Sequence, residues 1–203
     1  LNEKLLKNSK FWLAVSTHNG EENFCLKTHI FLKKKISNVI TVIAPRHIDR
    51  VGEIKKLCGK LNLDTQILNK ADNILPDKEI ILINSFNSLL EFYKYSKSVF
   101  IGKSLLKKFK NEGGQNPIEA AKLGCKIYHG PFVYNFEEIY DILKNNNISQ
   151  EIINPENFSK YLFDDFNNFE KNFEKSSDLL NDLGSQTLEM TIKNINRFLK
   201  DES

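Results

Sequence analysis

No apolar run in this sequence approaches the roughly 18 residues needed to cross a bilayer, and Leu1 to Lys10 lacks the layout of a secretory signal. The chain opens on Leu, so it is expected to be a piece of a longer protein whose anchor or partner domain lies upstream. Glycine and proline are scarce, at 9 and 5 of 203 residues, which excludes fibrous and low-complexity classes. Cysteine is scarcer still: Cys25, Cys58 and Cys125 lie far apart in apolar stretches, with no CxxC and no histidine at metal-ligand spacing. They read as buried thiols of a reducing compartment. The net charge of +3 comes from lysines scattered among acids rather than gathered in a patch, so no nucleic-acid partner is expected. HExxH, HxE and GxSxG are absent. Gly102-Lys103-Ser104 resembles the end of a P-loop, but Lys97 stands where its first glycine is required.

What is present is an alternation of short β-branched runs with amphipathic stretches. Strands are predicted at Phe11–Thr17, Val39–Ala44, Thr65–Leu68, Glu79–Asn84, Ser98–Ile101 and Lys126–Tyr128. Helices are predicted at Glu21–Lys35, Asp49–Leu61, Ser88–Tyr95, Pro117–Leu123 and Phe136–Lys144. Such alternation implies right-handed crossovers and an α/β fold, a doubly wound parallel sheet that binds ligands at the carboxyl ends of its strands. Residues 1–153 are read as this domain. Residues 154–203 are read as helices that pack on it or return to a preceding domain, with Phe158, Leu162, Phe166, Phe169 and Phe173 forming a core-facing stripe.

Three loops after strand ends carry the residues that a phosphate needs. Ser16-Thr17-His18-Asn19-Gly20-Glu21-Glu22 ends a strand in hydroxyl, imidazole and glycine, although an acidic first turn also serves simply to cap a helix. Pro45-Arg46-His47 places a planar guanidinium at the edge of the sheet, in a chain with only three arginines; a surface ion pair is the plain alternative. Gly113-Gly114-Gln115-Asn116-Pro117-Ile118-Glu119 combines two glycines for close approach, Asn116 as helix cap, Pro117 at the first helical position and Glu119 at the far corner of a capping box. The same segment would present free N–H groups to an anion and a carboxylate to ribose hydroxyls.

At these loops the sequence resembles the 3-deoxy-D-manno-octulosonic acid (Kdo) transferases, which have the two-domain GT-B glycosyltransferase architecture. The resemblance spans Phe11 to about Ile153. It rests on S-x-H-x-G-E-E (Ser16, His18, Gly20, Glu21, Glu22), P-R-H (Pro45, Arg46, His47) and G-G-x-N-x-x-E (Gly113, Gly114, Asn116, Glu119), followed by Gly130-Pro131 and Asn135-Phe136. It implies a Rossmann-like carboxy-terminal domain that binds CMP through Pro45, Arg46, Phe86, Asn87, Ser88, Asn116, Pro117, Ile118 and Glu119, with Ser16, His18, Gly20, Glu21, His47, Gly113 and Gly114 in supporting loops. The chain departs from the family pattern at three places. Asn84-Ser85-Phe86-Asn87-Ser88-Leu89 replaces Asp-Thr-x-Gly-Glu-Leu, Gln115 stands where histidine is common, and Lys103 interrupts Gly-Gly-Ser.

The reaction so implied is an inverting displacement. An acceptor hydroxyl of lipid A precursor (lipid IVA) attacks the anomeric carbon of Kdo and CMP leaves, while Arg46 and the helix start at Asn116 stabilise charge on the departing phosphate. The resemblance places the general base, a glutamate, in an amino-terminal domain of the same protein, so no catalytic residue is expected in this chain, and Glu21 and Glu22 are set aside for that role. It implies no metal and no cofactor beyond the donor CMP-Kdo, and it locates the full-length enzyme at the cytoplasmic face of the inner membrane. Two alternatives stay open: a GT-B transferase using a UDP- or GDP-sugar, and a flavodoxin-like domain without catalysis.

Overall fold

The computed structural model describes residues 2–85, 89–173, 176–182 and 184. Seven parallel strands form one sheet in the order β3-β4-β2-β1-β5-β6-β7. They are β1 (Phe11–Thr17), β2 (Ile40–Pro45), β3 (Thr65–Leu68), β4 (Ile80–Ile83), β5 (Ser98–Ile101), β6 (Lys126–His129) and β7 (Ser149–Glu151). The helices are α1 (Asn2–Asn8), α2 (Glu21–Lys33), α3 (Val51–Lys60), α4 (Leu89–Tyr95), α5 (Ile118–Lys122), α6 (Glu137–Asn145) and α7 (Pro155–Asn168). The doubly wound parallel sheet expected from the alternation is therefore present, with α1 and β7 added to the predicted elements. Among the described residues no helix is long and apolar enough to cross a membrane.

The central strands β1, β2, β4 and β5 are buried and largely apolar because both faces of the sheet are covered. Along β1, Phe11, Leu13 and Val15 enter a core with Leu6 of α1, Phe92 of α4, Ala121 of α5 and Leu143 of α6. Trp12 and Ala14 face the other way, toward Phe24 of α2, Ile54 of α3 and Phe158 of α7. Helix α2 is buried on more than one side, including Cys25, Thr28 and His29, because α7 covers what the sheet does not. All three cysteines are buried free thiols whose pKa burial pushes up.

The start of α7 is fixed by Asn154, whose Oδ1 accepts from the N–H groups of Glu156 and Asn157 at 2.9 and 3.1 Å, with Pro155 in the first turn. Farther along, Asp165 accepts from the hydroxyls of Ser98 and Tyr128 at 2.6 and 2.7 Å, which staples the helix to β5 and β6. The phenylalanine stripe is shorter than predicted. Phe158 and Leu162 are fully buried, but the helix ends at Asn168, Phe169 is extended, and Phe173 is 44% exposed. Phe158 lies 4.8 to 6.2 Å in ring-centroid distance from Tyr128, Trp12, Phe24 and Phe100.

A cavity of about 310 Å³ opens at the amino ends of the strands, lined by Ile40, Asp64, Lys78 and Glu79. It lies across the sheet from the motif loops, which follow the carboxyl ends.

Two predictions follow from this packing. Phe158→Ala removes the ring on which four aromatic neighbours meet and should lower the unfolding free energy by about 3–5 kcal/mol in urea titration. His129 donates from Nδ1 to the Gly130 carbonyl at 2.8 Å and keeps Nε2 buried with no partner among the described residues, and burial lowers its pKa to about 4 from an ordinary 6.5. The unfolded chain therefore takes up a proton at this residue before the folded one does. Stability should fall by on the order of 3 kcal/mol as the pH drops from 6.5 to 4, and His129→Gln should flatten that slope.

Candidate functional site

The strand order reverses between β1 and β5: the chain leaves β1 toward β2 on one side and later returns to β5 on the other. A crevice forms at the carboxyl ends of such a pair. The loops there are held together by backbone contacts that admit no side chain. A Cβ on Gly102 would lie 2.5 Å from the Ser16 carbonyl oxygen, and one on Gly130 would lie 2.3 Å from that of Ser104. Ser16 occupies a bulge in β1 with φ 53, which turns its carbonyl to accept from His18 Nδ1 at 3.0 Å.

Glu21 organises this region. It is fully buried, and its carboxylate accepts four backbone N–H groups: His18 and Lys103 at 2.9 and 2.8 Å on Oε2, Ser104 and Leu105 at 2.9 and 3.0 Å on Oε1. The sequence marked Glu21 only as a first-turn acid in a supporting loop; what it does is join the loop after β1 to the loop after β5. Gly20, at φ 103, gives the chain the left-handed turn that delivers Glu21 to this position. Glu22 is also buried and receives Arg50 through a two-pronged contact at 2.7 and 3.2 Å, which binds α2 to the start of α3.

The three motif loops meet through this frame. The Arg46 N–H donates to the Thr17 carbonyl at 3.0 Å, tying the Pro45-Arg46-His47 loop to the end of β1. The Gly114 N–H donates to the Lys103 carbonyl at 2.7 Å, tying the Gly113-to-Glu119 loop to the end of β5. Gly113 accepts from the Asn135 N–H at 3.0 Å, so the Asn135-Phe136 turn buttresses the same loop.

The side chains over the crevice contrast with the frame below. Arg46 and His47 are exposed, and no described residue pairs with the Arg46 guanidinium, whereas Arg50 is bound to Glu22. His18 is half-buried with its ring 5.9 Å from that of His47. Burial, and then the positive charge of His47 and Lys103, lower its pKa against the opposing pull of the Ser16 carbonyl and Glu21. Beside Arg46 a cleft of about 110 Å³ is lined by Ser16, Pro45, Ile83, Ser85 and Leu89. Phe86, Asn87 and Ser88 lie outside the described residues; Ser85 and Leu89, which flank them, border this cleft.

The third loop departs from expectation in two respects. Helix α5 starts at Ile118 with Pro117 at its cap position and no side-chain cap; Asn116 Oδ1 accepts only from Ile118 N–H at 2.9 Å and Glu119 makes no return bond, so the expected capping box does not form. Glu119 is exposed and unpaired among the described residues. Helix α5 is only five residues long. Pro117 has no N–H and the Ile118 N–H is already taken, so the helix start has less to offer an anion than the motif promised.

Lys103 shows why glycine would be easier at its position: its φ is 56, a left-handed value that glycine takes freely. Sequence reasoning named Lys103 only as a departure. A residue so placed is visible in sequence only when its neighbours' backbone geometry is already known.

Comparison with known proteins follows the same loops. The chain is 34% identical over 134 residues to the 3-deoxy-D-manno-octulosonic acid transferase of Haemophilus influenzae, covering 65% of this chain and 30% of that protein. It is 26% identical over 145 residues to the enzyme of the same name from Aquifex aeolicus, covering 71% of this chain and 38% of the relative. The chain thus spans about a third of the length of these relatives. Its fold superposes on the carboxy-terminal CMP-Kdo binding domain of WaaA from Acinetobacter baumannii with a TM-score of 0.72 at 24% identity, covering 86% of this chain and 87% of that one. It also superposes on the carboxy-terminal domain of a group 1 glycosyltransferase (LpcC) from Francisella tularensis, with a TM-score of 0.53 at 16% identity, covering 89% of each chain. No protein-family model matches the chain.

Glu21→Ala would strand four backbone donors that are buried or partly buried, and a loss of about 3–5 kcal/mol is expected in denaturant unfolding. Glu21→Gln should be nearly as damaging, because its amide NH₂ would face two N–H donors. A Glu21→Gln protein as stable as the wild type would show that the four-bond frame is not what holds the loops. By sequence and by fold together, the chain is a relative of the 3-deoxy-D-manno-octulosonic acid transferases with the Rossmann-like architecture of a GT-B carboxy-terminal domain.

Proposed function

We propose that this chain is the donor-binding part of a glycosyltransferase that moves Kdo from CMP-Kdo to a lipid A precursor. The observation that carries the reading is the backbone joining of all three motif loops at the carboxyl ends of the strands, with the side chains of Arg46 and Glu119 unpaired among the described residues. The relatives' activity and the CMP-Kdo bound by the structural neighbour, as their names state, agree with this.

In the proposed reaction the acceptor hydroxyl oxygen forms a bond to the anomeric carbon of Kdo. The bond from that carbon to the phosphate oxygen breaks, and CMP leaves with the electron pair. Arg46 meets the charge that grows on the phosphate, and Glu119 takes the ribose hydroxyls. The acceptor proton goes to a glutamate of a preceding domain. This division of labour fits the chemistry of Glu21 and Glu22: one carboxylate accepts four N–H bonds and the other holds an arginine, so neither is free to act as base. Residues 1–153 form the donor-binding unit in this reading, and α7 packs on it through Phe158, Leu162 and Asp165; residues 185–203 lie outside the described residues. The lipid acceptor would bring the whole enzyme to the cytoplasmic face of the inner membrane. The reading requires no metal or other cofactor.

Calorimetric titration of the chain with CMP, UMP and GMP tests it. CMP should bind selectively, Arg46→Ala should weaken it about tenfold or more, as for a charged hydrogen bond, and Glu119→Ala should also weaken it. Preference for UMP or GMP over CMP would point to a different nucleotide-sugar and overturn the Kdo reading.

A further inference from the structure

Resting on the donor-site reading above, we infer that Lys103 is a further substrate-binding residue, whose ammonium contacts the phosphate of the bound nucleotide. The starting point is its backbone. Among the described residues four non-glycine residues have positive φ: Ser16, Asn62, Lys103 and Asn147. Asn62 and Asn147 follow the ends of α3 and α6, where asparagine is a common left-handed cap. Ser16 is the bulge residue of β1. Lys103 has neither explanation, and a long side chain there works against the local conformational preference.

The fold does not need this side chain. The left-handed turn is imposed from both sides by backbone groups, with the Lys103 N–H donating to Glu21 at 2.8 Å and its carbonyl accepting from Gly114 at 2.7 Å. The side chain is half-buried and finds no partner among the described residues. Glycine would serve the frame better, so the lysine is to be explained by what its charge meets. Strained backbone that the surroundings hold in place is a common mark of binding sites.

Position identifies the ligand group. Lys103 lies two residues beyond β5, in the loop at the reversal of strand order, and its charge is felt by His18 on the loop after β1. Its carbonyl is bonded to the loop that carries Asn116 and Glu119, while Arg46 lies across β1 on the loop after β2. The anion expected between these loops is the nucleotide phosphate. The start of α5 supplies little to it, because Pro117 has no N–H and Ile118 N–H is bonded to Asn116. A compact ammonium on a flexible stem is suited to make up that deficit as a point charge on phosphate.

The test compares CMP with cytidine, which lacks the phosphate, by NMR titration of the 203-residue chain and of Lys103→Gly, Lys103→Arg and Arg46→Ala. Lys103→Gly should melt at the wild-type temperature or above it, bind CMP about tenfold more weakly, and bind cytidine unchanged. Lys103→Arg should retain most of the CMP affinity. Unchanged CMP binding by Lys103→Gly overturns the proposal, as does an equal loss for CMP and cytidine, or a lowered melting temperature with loss of both. If the wild type binds CMP and Arg46→Ala weakens it while Lys103→Gly does not, only the lysine proposal fails. If the wild type binds no CMP, the donor-site reading fails and takes this proposal with it.

Discussion

The buried carboxylate of Glu21 is the contact on which the rest of the crevice depends. A carboxylate out of water carries a large desolvation cost, and it is stable here because four backbone N–H groups point at its two oxygens. The donors are equally dependent on it. The residues after β5 run across the sheet end without regular secondary structure, and buried N–H groups there have no ladder to join. One side chain thus satisfies the end of β1 and the end of β5 together, where the strand order reverses and the two loops would otherwise diverge.

From that tie the remaining geometry follows in order. Ser104, held by its N–H to Glu21, donates its hydroxyl to Ile101 at 2.7 Å and accepts from Gly130 at 2.9 Å, carrying the constraint to the end of β6. Gly102, Gly113 and Gly130 are glycines because carbonyl oxygens of neighbouring loops occupy the space of a Cβ. Gly114 N–H bonds to Lys103, which brings in the third motif loop. The crevice is therefore a backbone construction with few side chains in its walls, and its stability comes from hydrogen bonds rather than apolar burial. The two cores on either face of the sheet supply the rigidity beneath it.

The fold was legible in the sequence because parallel strands covered on both faces must be continuously apolar, and runs such as Val39 to Ala44 have few other uses. Helix α1 and strand β7 escaped because their patterns are weak. The seven residues of α1 bury only Leu6, and β7 is the polar edge triplet Ser149-Gln150-Glu151. The site was legible as motifs but not as roles. Nothing in Ser16-to-Glu22 tells that Glu21 turns inward onto a loop some 80 residues away, since that depends on the crossing of β1 and β5. Asn116-Pro117-Ile118-Glu119 reads as a capping box by spacing alone, whereas the reciprocal bond fails and frees Glu119 for solvent. Local pattern reports which groups are able to cap; which of them is diverted is decided by the loops around them.

The separation of paired from unpaired charge constrains how a nucleotide would lie in the proposed donor site. Glu21 and Glu22, the acids below the crevice, are fully engaged, so they add little free negative potential toward the opening. Above it the open side chains are Arg46, His47 and Lys103, with Glu119 the unpaired acid on the third motif loop. A phosphate placed against Glu119 would bring like charges together at a cost that rises as water is excluded. In the proposed donor site the phosphate would therefore belong on the side of Arg46, His47 and Lys103, and the proposed partner of Glu119 would be neutral and rich in hydroxyl donors. A ribose meets that description, and its distance from the phosphate within one nucleotide is set by covalent geometry. Under the proposed donor-site reading, the arrangement of charges favours a nucleoside monophosphate with its phosphate toward Arg46 and its ribose toward Glu119 over the opposite orientation.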